Sequence, residues 1–241
     1  MKQIGRHIPN ILTSINLLFG GIAIVLAPVS LTAAFCAVLL GAVFDFSDGF
    51  AARGLNAYSP VGKDLDSLAD MVTFGVAPSV MVFYRLRELL PVVGFSCPVV
   101  PLIPYFAFLL VVFSALRLAI FNNDERQSQN FIGLPTPANA LFWCGLSAMT
   151  ICSAWEQPLF WAVIALIPVF SWLLVSEIPM FSLKMKSYGW EGNEQRYFFI
   201  LATLLLSGFL WYAGIMISIL LYILLSVSSR KKMGKEECND E

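Results

Sequence analysis

The apolar stretch TAAFCAVLLGAVFDFS, residues 32–47, runs directly into the more polar stretch DGFAAR, residues 48–53. It is close to the length of about 20 apolar residues that a helix needs to cross a bilayer, and it ends on carboxylates. Comparable apolar runs lie on both sides of it, at 11–31, 67–84, 99–121, 137–154, 158–176 and 197–227. The stretch therefore predicts one of several membrane-spanning helices, with acidic groups at its end.

The composition of the 241-residue chain agrees with a polytopic membrane protein. Hydrophobic residues make up 58% of the chain and charged residues only 13%, whereas an ordinary soluble domain is about 45–50% apolar. The net charge of −1 provides no basic field for nucleic acid. A single histidine and five cysteines without CxxC spacing argue against a zinc site. We expect an all-α polytopic membrane protein that contains free thiols.

Basic residues indicate how the last apolar run crosses the membrane. As one helix, 197–227 would be about 46 Å long, against a hydrocarbon core of about 30 Å. A hairpin that turns near Trp211–Gly214 gives eight spans, a six-helix core plus a C-terminal hairpin. It also leaves all 15 Lys and Arg residues except Arg85 and Arg87 on the cytoplasmic side, as the positive-inside rule requires.

The chain is predicted to have one transmembrane domain between two cytoplasmic segments. Residues 1–10 are expected to form a short interfacial helix on the membrane surface. The transmembrane domain covers 11–227, and 228–241 form a polar tail. The protein is placed in the inner (cytoplasmic) cell membrane as a multi-pass protein. Aromatic residues near the ends of runs are expected to be interfacial anchors: Trp143, Trp155, Trp190, Trp211 and Tyr212.

The chemistry is concentrated in four aspartates at the cytoplasmic end of the second and third runs. Asp45 and Asp48 are three residues apart, and Asp66 and Asp70 are four apart. On helices both spacings place the pair on one face, whereas Asp64 is two residues before Asp66 and should point elsewhere. Because the link between the two helices is short, we expect the four carboxylates to converge.

Such a cluster requires compensating positive charge, because carboxylates at membrane depth cost several kcal/mol each. Two divalent cations would neutralise it, and oxygen ligands suit Mg²⁺, Mn²⁺ or Ca²⁺ better than zinc. Metal pairs of this kind serve displacement at phosphorus. Gly49 would allow a ligand to approach, and Arg53 suits phosphate oxygens. The spacing alone leaves two alternatives open: a proton or cation pathway, and structural pairing of the carboxylates with Arg53 and Lys63.

At every fixed position the chain resembles the CDP-alcohol phosphotransferases, in the pattern Asp45-x2-Asp48-Gly49-x2-Ala52-Arg53-x8-Gly62-x3-Asp66-x3-Asp70. The resemblance implies a membrane enzyme that displaces CMP from a CDP-linked lipid with the help of divalent metal. It also implies a homodimer and an active site that faces the cytoplasm.

Three segments resemble the serine-using branch of that family, the membrane-embedded phosphatidylserine synthases. They are 8–16, 65–78 and 117–137. This resemblance implies that CDP-diacylglycerol and L-serine give phosphatidylserine and CMP. Other acceptors in the same family stay open, namely glycerol 3-phosphate, inositol phosphate or choline, as do an ether lipid and a cation transporter that uses the same aspartates.

The resemblance assigns roles to individual residues. The metal ligands would be Asp45, Asp48, Asp66 and Asp70, and Asp70 would also accept the proton of the serine hydroxyl. Contacts with the CDP-lipid would come from Pro9, Asn10, Thr13, Gly49, Arg53 and Ser59.

Two further residues complete the predicted site. Arg117, at the cytoplasmic end of the fourth run, is expected to bind the serine carboxylate or the diphosphate, with the help of Asn122. Two alternatives stay open: a helix-capping role for Asn10 or Thr13, and a snorkelling interfacial charge for Arg117. With no covalent nucleophile in place, we expect a single displacement at phosphorus.

Overall fold

The computed structural model describes residues 7–57, 59–94, 100–124, 131–180 and 194–237. The expected interfacial positions 1–6, including Lys2 and Arg6, lie outside the described residues, as does Trp190. For residues 131, 194–196 and 228–237 only the backbone is described. Among the described cysteines, Cys36, Cys144 and Cys152 are free thiols.

Helices form almost the whole of the described chain. The α-helices are α1 (Ile8–Leu26), α2 (Leu31–Leu55), α3 (Pro60–Asp70), α4 (Ala77–Leu89), α5 (Leu109–Asn123), α6 (Thr136–Ala148), α7 (Glu156–Val175) and α8 (Glu194–Glu237). A π-helical segment, Met71–Val76, joins α3 to α4, and 3₁₀ segments cover Leu90–Val93, Val100–Phe108 and Ser153–Trp155. Two short strands, β1 (Phe131–Ile132) and β2 (Pro179–Met180), pair antiparallel.

The chain is an all-α polytopic membrane protein, as predicted. Among the described residues, six helices are long and apolar enough to cross a membrane: Ile8–Leu26, Leu31–Leu55, Pro60–Val93, Val100–Asn123, Ser153–Val175 and Tyr197–Val227. Helix α6 is not among them because its 13 residues extend only about 20 Å. The total of eight spans stays a prediction.

The last apolar run folds back on itself within the predicted stretch. Trp211 has φ 46° and ψ −114°, which breaks the helical backbone of α8. The rings of Phe199 and Tyr222 lie 5.9 Å apart between centroids, whereas a straight helix would separate these residues by about 35 Å. Gly214 packs against the backbone carbonyl of Leu206, and a side chain on residue 214 would overlap that carbonyl. The two arms of α8 are therefore neighbours.

The helix boundaries differ from the predicted segment boundaries at both ends. Helix α1 already begins at Ile8, so residues 8–10 belong to the first spanning helix and not to a separate interfacial helix. Pro9 fits there because proline in a first helical turn removes no needed hydrogen-bond donor. At the other end the α8 backbone continues to Glu237, beyond the predicted boundary at 227.

Aromatic residues of α6 and α7 pack together in the core of the bundle. The rings of Phe142 and Phe170 stack with centroids 4.2 Å apart, and Trp143 packs edge-on against both. Trp143 is fully buried, and its indole N–H donates to Asn139 Oδ1 at 3.1 Å. The expectation that Trp143 anchors an interface is therefore wrong: α6 lies inside the bundle, and Asn139 satisfies the polar end of the tryptophan.

Close backbone packing fixes α1, α2 and the π-helical segment to one another just below the predicted site. Thr73 Oγ1 donates to the Asn16 backbone carbonyl at 3.1 Å. A Cβ on Gly41 would lie 2.7 Å from Thr73 Cγ2, and one on Gly20 would lie 2.9 Å from Thr73 Cα. Glycine at both positions lets the segment that follows Asp70 pack directly on the first two helices.

Replacement of Gly20 by alanine should destabilise the protein, because the new methyl group meets backbone atoms of Thr73. Overpacking of this kind costs about 1–3 kcal/mol. Thermal unfolding in detergent measures the loss. The control is Gly21→Ala in the next position of α1, where a Cβ has no neighbour within 4 Å. Equal melting temperatures for the two variants would contradict this packing.

Candidate active site

A compact link brings the acidic ends of α2 and α3 together. Asn56 ends α2 with φ 50°, a left-handed conformation that asparagine tolerates better than most residues. Ser59 then caps α3, since its hydroxyl accepts from the Gly62 backbone N–H at 3.0 Å, and Pro60 occupies the first turn. The local sequence thus ends one helix and starts the next within a few residues.

Three of the four predicted carboxylates meet at this helix pair. Asp45, Asp48 and Asp66 each offer an oxygen within 4.8 Å of those of the other two, and Asp48 is only 6% exposed. Asp70 contacts Asp45 and lines the same cavity. Asp64 is exposed, as predicted from its position on the helix. The structure therefore shows a close group of three, which could bind metal ions, with Asp70 beside it.

Nothing in the described part of the chain neutralises these carboxylates. Among the described residues the salt bridge joins Arg85 and Glu88, which both lie on α4 and not at the acidic group. Lys63, one of the candidates for structural pairing, donates to the backbone carbonyl of Asn122 at 3.2 Å. Asp70 Oδ1 is buried and has no hydrogen-bond partner among the described residues. A group of oxygen ligands with uncompensated charge fits a divalent cation.

Helix α1 orients one of the carboxylates. Thr13 Oγ1 donates to Asp48 Oδ2 at 2.6 Å, and Thr13 is 3% exposed. Hydrogen bonds of this kind hold carboxylate ligands in position at metal sites. Thr13 therefore holds Asp48 of the acidic group directly. This contact differs from the helix-capping role that was the alternative for Thr13. Asn10 lies one turn before Ser14, and its backbone carbonyl accepts from Ser14 Oγ at 2.7 Å.

A cavity of about 270 Å³ opens on one side of the acidic group. Its lining includes all the residues predicted to contact the CDP-lipid: Pro9, Asn10, Thr13, Gly49, Arg53 and Ser59. At Gly49 an added Cβ would meet only Arg53 Nη1, at 3.7 Å, so packing does not require glycine there. At Gly62 a Cβ would lie 2.9 Å from Asn10 Oδ1. Glycine at this position therefore lets α1 pack closely against α3.

A second cavity of about 360 Å³ lies on the other side of the acidic group. Asp45, Asp70 and Arg117 line it, together with the segment Pro135–Pro137. The two cavities share Asp48, Gly49, Arg53 and Asp66. The acidic group is therefore the wall between two neighbouring spaces.

Arg117 is buried inside the bundle and does not extend to its surface. It is 4% exposed, and its guanidinium carbon lies 5.0 Å from the centre of the Phe121 ring. Its Nε has no hydrogen-bond partner among the described residues. The alternative of a snorkelling charge does not agree with this burial. A buried guanidinium without an anionic partner marks a place for an anionic ligand.

Asn122 is the one predicted site residue that the structure does not bring to the cavities. Its Nδ2 donates to Ser67 Oγ at 2.7 Å, and it lines neither of the two cavities. The reason is its position on α5: it is five residues beyond Arg117 and therefore points to a different side of the helix. Asn122 therefore ties α5 to α3.

The site also includes a residue that the sequence interpretation did not assign to it. Thr136 lines the second cavity at the start of α6 and is 3% exposed. It lies between Pro135 and Pro137, and this Pro-Thr-Pro sequence at the start of an apolar run is the signal for a helix start near the site.

Comparison with known proteins identifies the family. The family model described as CDP-alcohol phosphatidyltransferase matches residues 6–173. The CDP-diacylglycerol--serine O-phosphatidyltransferase of Bacillus subtilis (strain 168) is 38% identical over 133 residues, which cover 55% of this chain and 70% of that protein. The protein of the same name from Mycobacterium leprae (strain TN) is 34% identical over 158 residues, 61% of this chain and 49% of that protein.

An archaeal relative extends the comparison. The archaetidylserine synthase of Methanothermobacter thermautotrophicus is 33% identical over 137 residues, 56% of this chain and 54% of that protein. Apart from the Bacillus protein, the matches to these relatives thus span about half of the relatives' length. The family model covers more than half of the present chain and includes all four aspartates. The chain therefore belongs to the CDP-alcohol phosphatidyltransferase family.

Proposed function

We propose that the protein transfers the phosphatidyl group of CDP-diacylglycerol to the hydroxyl of L-serine, giving phosphatidylserine and CMP. The observation that carries the proposal is the group of Asp45, Asp48 and Asp66 between two cavities. The names of relatives at 33–38% identity support serine as the acceptor. The name of the relative from Methanothermobacter thermautotrophicus also contains serine, but with an archaetidyl group in place of the phosphatidyl group. A donor with an ether-linked lipid is therefore the second candidate.

The acidic group would hold the metal. Asp45, Asp48, Asp66 and Asp70 are the ligands we propose, for Mg²⁺ or Mn²⁺ and less favourably Ca²⁺, because all four offer only carboxylate oxygens. A divalent cation bound there supplies positive charge to the diphosphate of the donor and to the departing phosphate of CMP.

The first cavity would bind the CDP half of the donor. Gly49 leaves its backbone accessible, and Arg53, which lines both cavities, is placed to donate to phosphate oxygens. Pro9, Asn10, Thr13 and Ser59 form the rest of this binding surface.

The second cavity would be the place where the donor and the hydroxyl of the acceptor react. The serine oxygen forms a bond to the phosphorus that carries diacylglycerol, and the bond from that phosphorus to the CMP oxygen breaks. Asp70 accepts the proton of the hydroxyl, a role supported by its buried Oδ1, which lacks a partner among the described residues. Its contribution would come mainly from position, since a carboxylate is a weak base. Arg117 binds the serine carboxylate or the diphosphate.

We place this site at the cytoplasmic face of the cell membrane, because the topology predicted from the sequence puts all 15 Lys and Arg residues except Arg85 and Arg87 on that side. Pairing of two chains into a homodimer stays a prediction of the family resemblance. A phosphorylated acceptor such as glycerol 3-phosphate or inositol phosphate would need further basic groups. Lys184 and Lys186, which would supply them, lie outside the described residues.

The direct test is CMP release by purified protein with CDP-diacylglycerol, Mg²⁺ or Mn²⁺, and serine or a rival acceptor, each given singly. Serine should support release, and glycerol 3-phosphate, inositol phosphate and choline should not. EDTA should stop the reaction, and added Mg²⁺ or Mn²⁺ should restore it. Turnover that survives the chelator, or that requires another acceptor, would disprove the proposed function.

A matched pair of substitutions on α3 tests the acidic group. Loss of a residue that only supports a metal ligand costs about 10–100-fold in activity. Asp66→Asn removes a proposed ligand itself and should therefore lower the rate by more than this. Asp64→Asn removes the same charge two residues earlier, from an exposed position, and should leave the rate unchanged. Similar rates for the two variants would contradict the assignment of Asp66.

Arg117→Gln tests the buried cation. Loss of a charge-assisted hydrogen bond costs about 1.5–3 kcal/mol, so the KM for serine or for CDP-diacylglycerol should rise about 10–100-fold. The substrate whose KM rises identifies the bound anion. The control is Arg87→Gln, which removes an arginine that lies near the rings of Phe83 and Tyr84. An Arg117→Gln variant with both KM values unchanged would remove Arg117 from the site.

A further inference from the structure

A third, smaller cavity lies behind Arg117. It has a volume of about 110 Å³, and its lining includes Arg117, Ile120, Asp124, Ile132, Ser176 and Glu177. A single buried water needs about 10–15 Å³ of such space, so the cavity has room for a small polar molecule. Arg117 also lines the cavity that contains the four aspartates. Arg117 thus contributes to the walls of both the small cavity and the space where we place the reaction.

Backbone hydrogen bonds hold the segment after α7 at this cavity. The Gly133 N–H donates to the Ile178 carbonyl and the Leu134 N–H to the Leu173 carbonyl, both at 2.9 Å. Gly133 has φ 77°, and a Cβ there would lie 2.7 Å from the Leu174 carbonyl oxygen, so the contact requires glycine. The position of Glu177 is therefore set by the backbone of the protein itself, before any ligand binds.

The cavity carries charges of both signs. The guanidinium of Arg117 is buried and pairs with no carboxylate of the described residues within salt-bridge distance. Glu177 also lines the cavity and is exposed to solvent, and it has no ion-pair partner in the described part of the chain. Asp124 adds a second carboxylate to the lining. Ser176 is not available as a donor, because its hydroxyl already donates to the Leu173 carbonyl at 2.9 Å.

This arrangement matches a small molecule that carries a carboxylate at one end and an ammonium at the other. Arg117 satisfies the carboxylate with a planar set of donors, and a carboxylate on the protein accepts from the ammonium. A phosphorylated alcohol would bring its negative charges towards Glu177 and Asp124, whereas choline has no anion for Arg117. The charge pattern thus favours an amino acid and disfavours the rival acceptors.

We infer that the cavity of Arg117 and Glu177 is the subsite for the amino-acid acceptor, in which Glu177 accepts from the ammonium group and Arg117 donates to the carboxylate. The inference rests on the proposed function and identifies Glu177 as a specificity-determining residue of the same site. Because Arg117 lines both cavities, a ligand bound to its guanidinium lies next to the cavity of the aspartates.

The test is steady-state kinetics of Glu177→Gln. The KM for serine should rise roughly 10-fold, and the KM for CDP-diacylglycerol should stay the same, which also shows that the variant is folded. Glu177→Asp, which keeps the charge, should recover part of the loss. Asp64→Asn is the matched control for the removal of an exposed carboxylate near the site.

A substrate analogue separates recognition of the ammonium from a general effect on the site. 3-Hydroxypropanoate has the hydroxyl and carboxylate of serine and no ammonium. Wild-type protein should use it less well than serine, and Glu177→Gln should not weaken its use further. Two results would overturn this inference and leave the proposed function intact. One is a Glu177→Gln variant that releases CMP with an unchanged KM for serine, and the other is an equal loss of activity with serine and with the analogue. Wild-type protein that releases no CMP with serine would overturn the proposed function together with it.

Discussion

Mutual repulsion among three carboxylates is the constraint on which this structure depends. Asp45, Asp48 and Asp66 lie within 4.8 Å of one another, and no lysine or arginine of the described residues forms an ion pair with them. With all its carboxylates ionised, such a group is stable only if a ligand brings the missing positive charge. The short α2–α3 link and the hydrogen bond from Thr13 hold the carboxylates together against this repulsion. The contacts at Gly20 and Gly41 hold the helices that carry them.

Charges of alternating sign extend outward from that group. Arg53 lines both neighbouring cavities, Arg117 lies beyond the aspartates, and Glu177 lies beyond Arg117. A diphosphate, a carboxylate and an ammonium placed along this line would each meet a group of opposite charge. The contribution of the protein to the proposed displacement is thus mainly to position charged groups relative to one another.

The C-terminal hairpin lies outside residues 6–173, the part of the chain that the family model matches. It nevertheless reaches the site, because Tyr222 lies close enough to Arg117 for the two side chains to interact electrostatically. Tyr222 is brought there by the turn at Trp211, which packs it against Phe199. The hairpin is therefore part of the surroundings of Arg117 as well as part of the membrane-embedded bundle.

The sequence was sufficient for those parts of the site that depend on local geometry. Helical spacing predicted that Asp45 and Asp48 share a face and that Asp64 points away, because these relations are fixed within one helix. It could not place Asn122, since its contact with Ser67 joins two helices whose relative rotation follows from packing. The cavity lined by Arg117 and Glu177 could not be predicted for the same reason, because the two residues lie on segments far apart in the sequence that only tertiary packing brings together.

The burial of Trp143 shows the same limit on a larger scale. Its place near the end of an apolar run is typical of an interfacial anchor, but that pattern does not reveal which helices surround it. In the folded chain Phe142 and Phe170 pack around it, and Asn139 accepts from its indole N–H. Hydropathy thus predicted that α6 is apolar, and only tertiary packing determined that it lies inside the bundle.

The most direct measurement of the central claim is Mn²⁺ binding to the purified protein, followed by the loss of the free-ion signal in electron paramagnetic resonance. The account predicts saturable binding that Mg²⁺ displaces, that Asp45→Asn and Asp48→Asn each weaken strongly, and that Asp64→Asn leaves unchanged. Failure of the wild-type protein to bind Mn²⁺, or equal binding by all three variants, would contradict it.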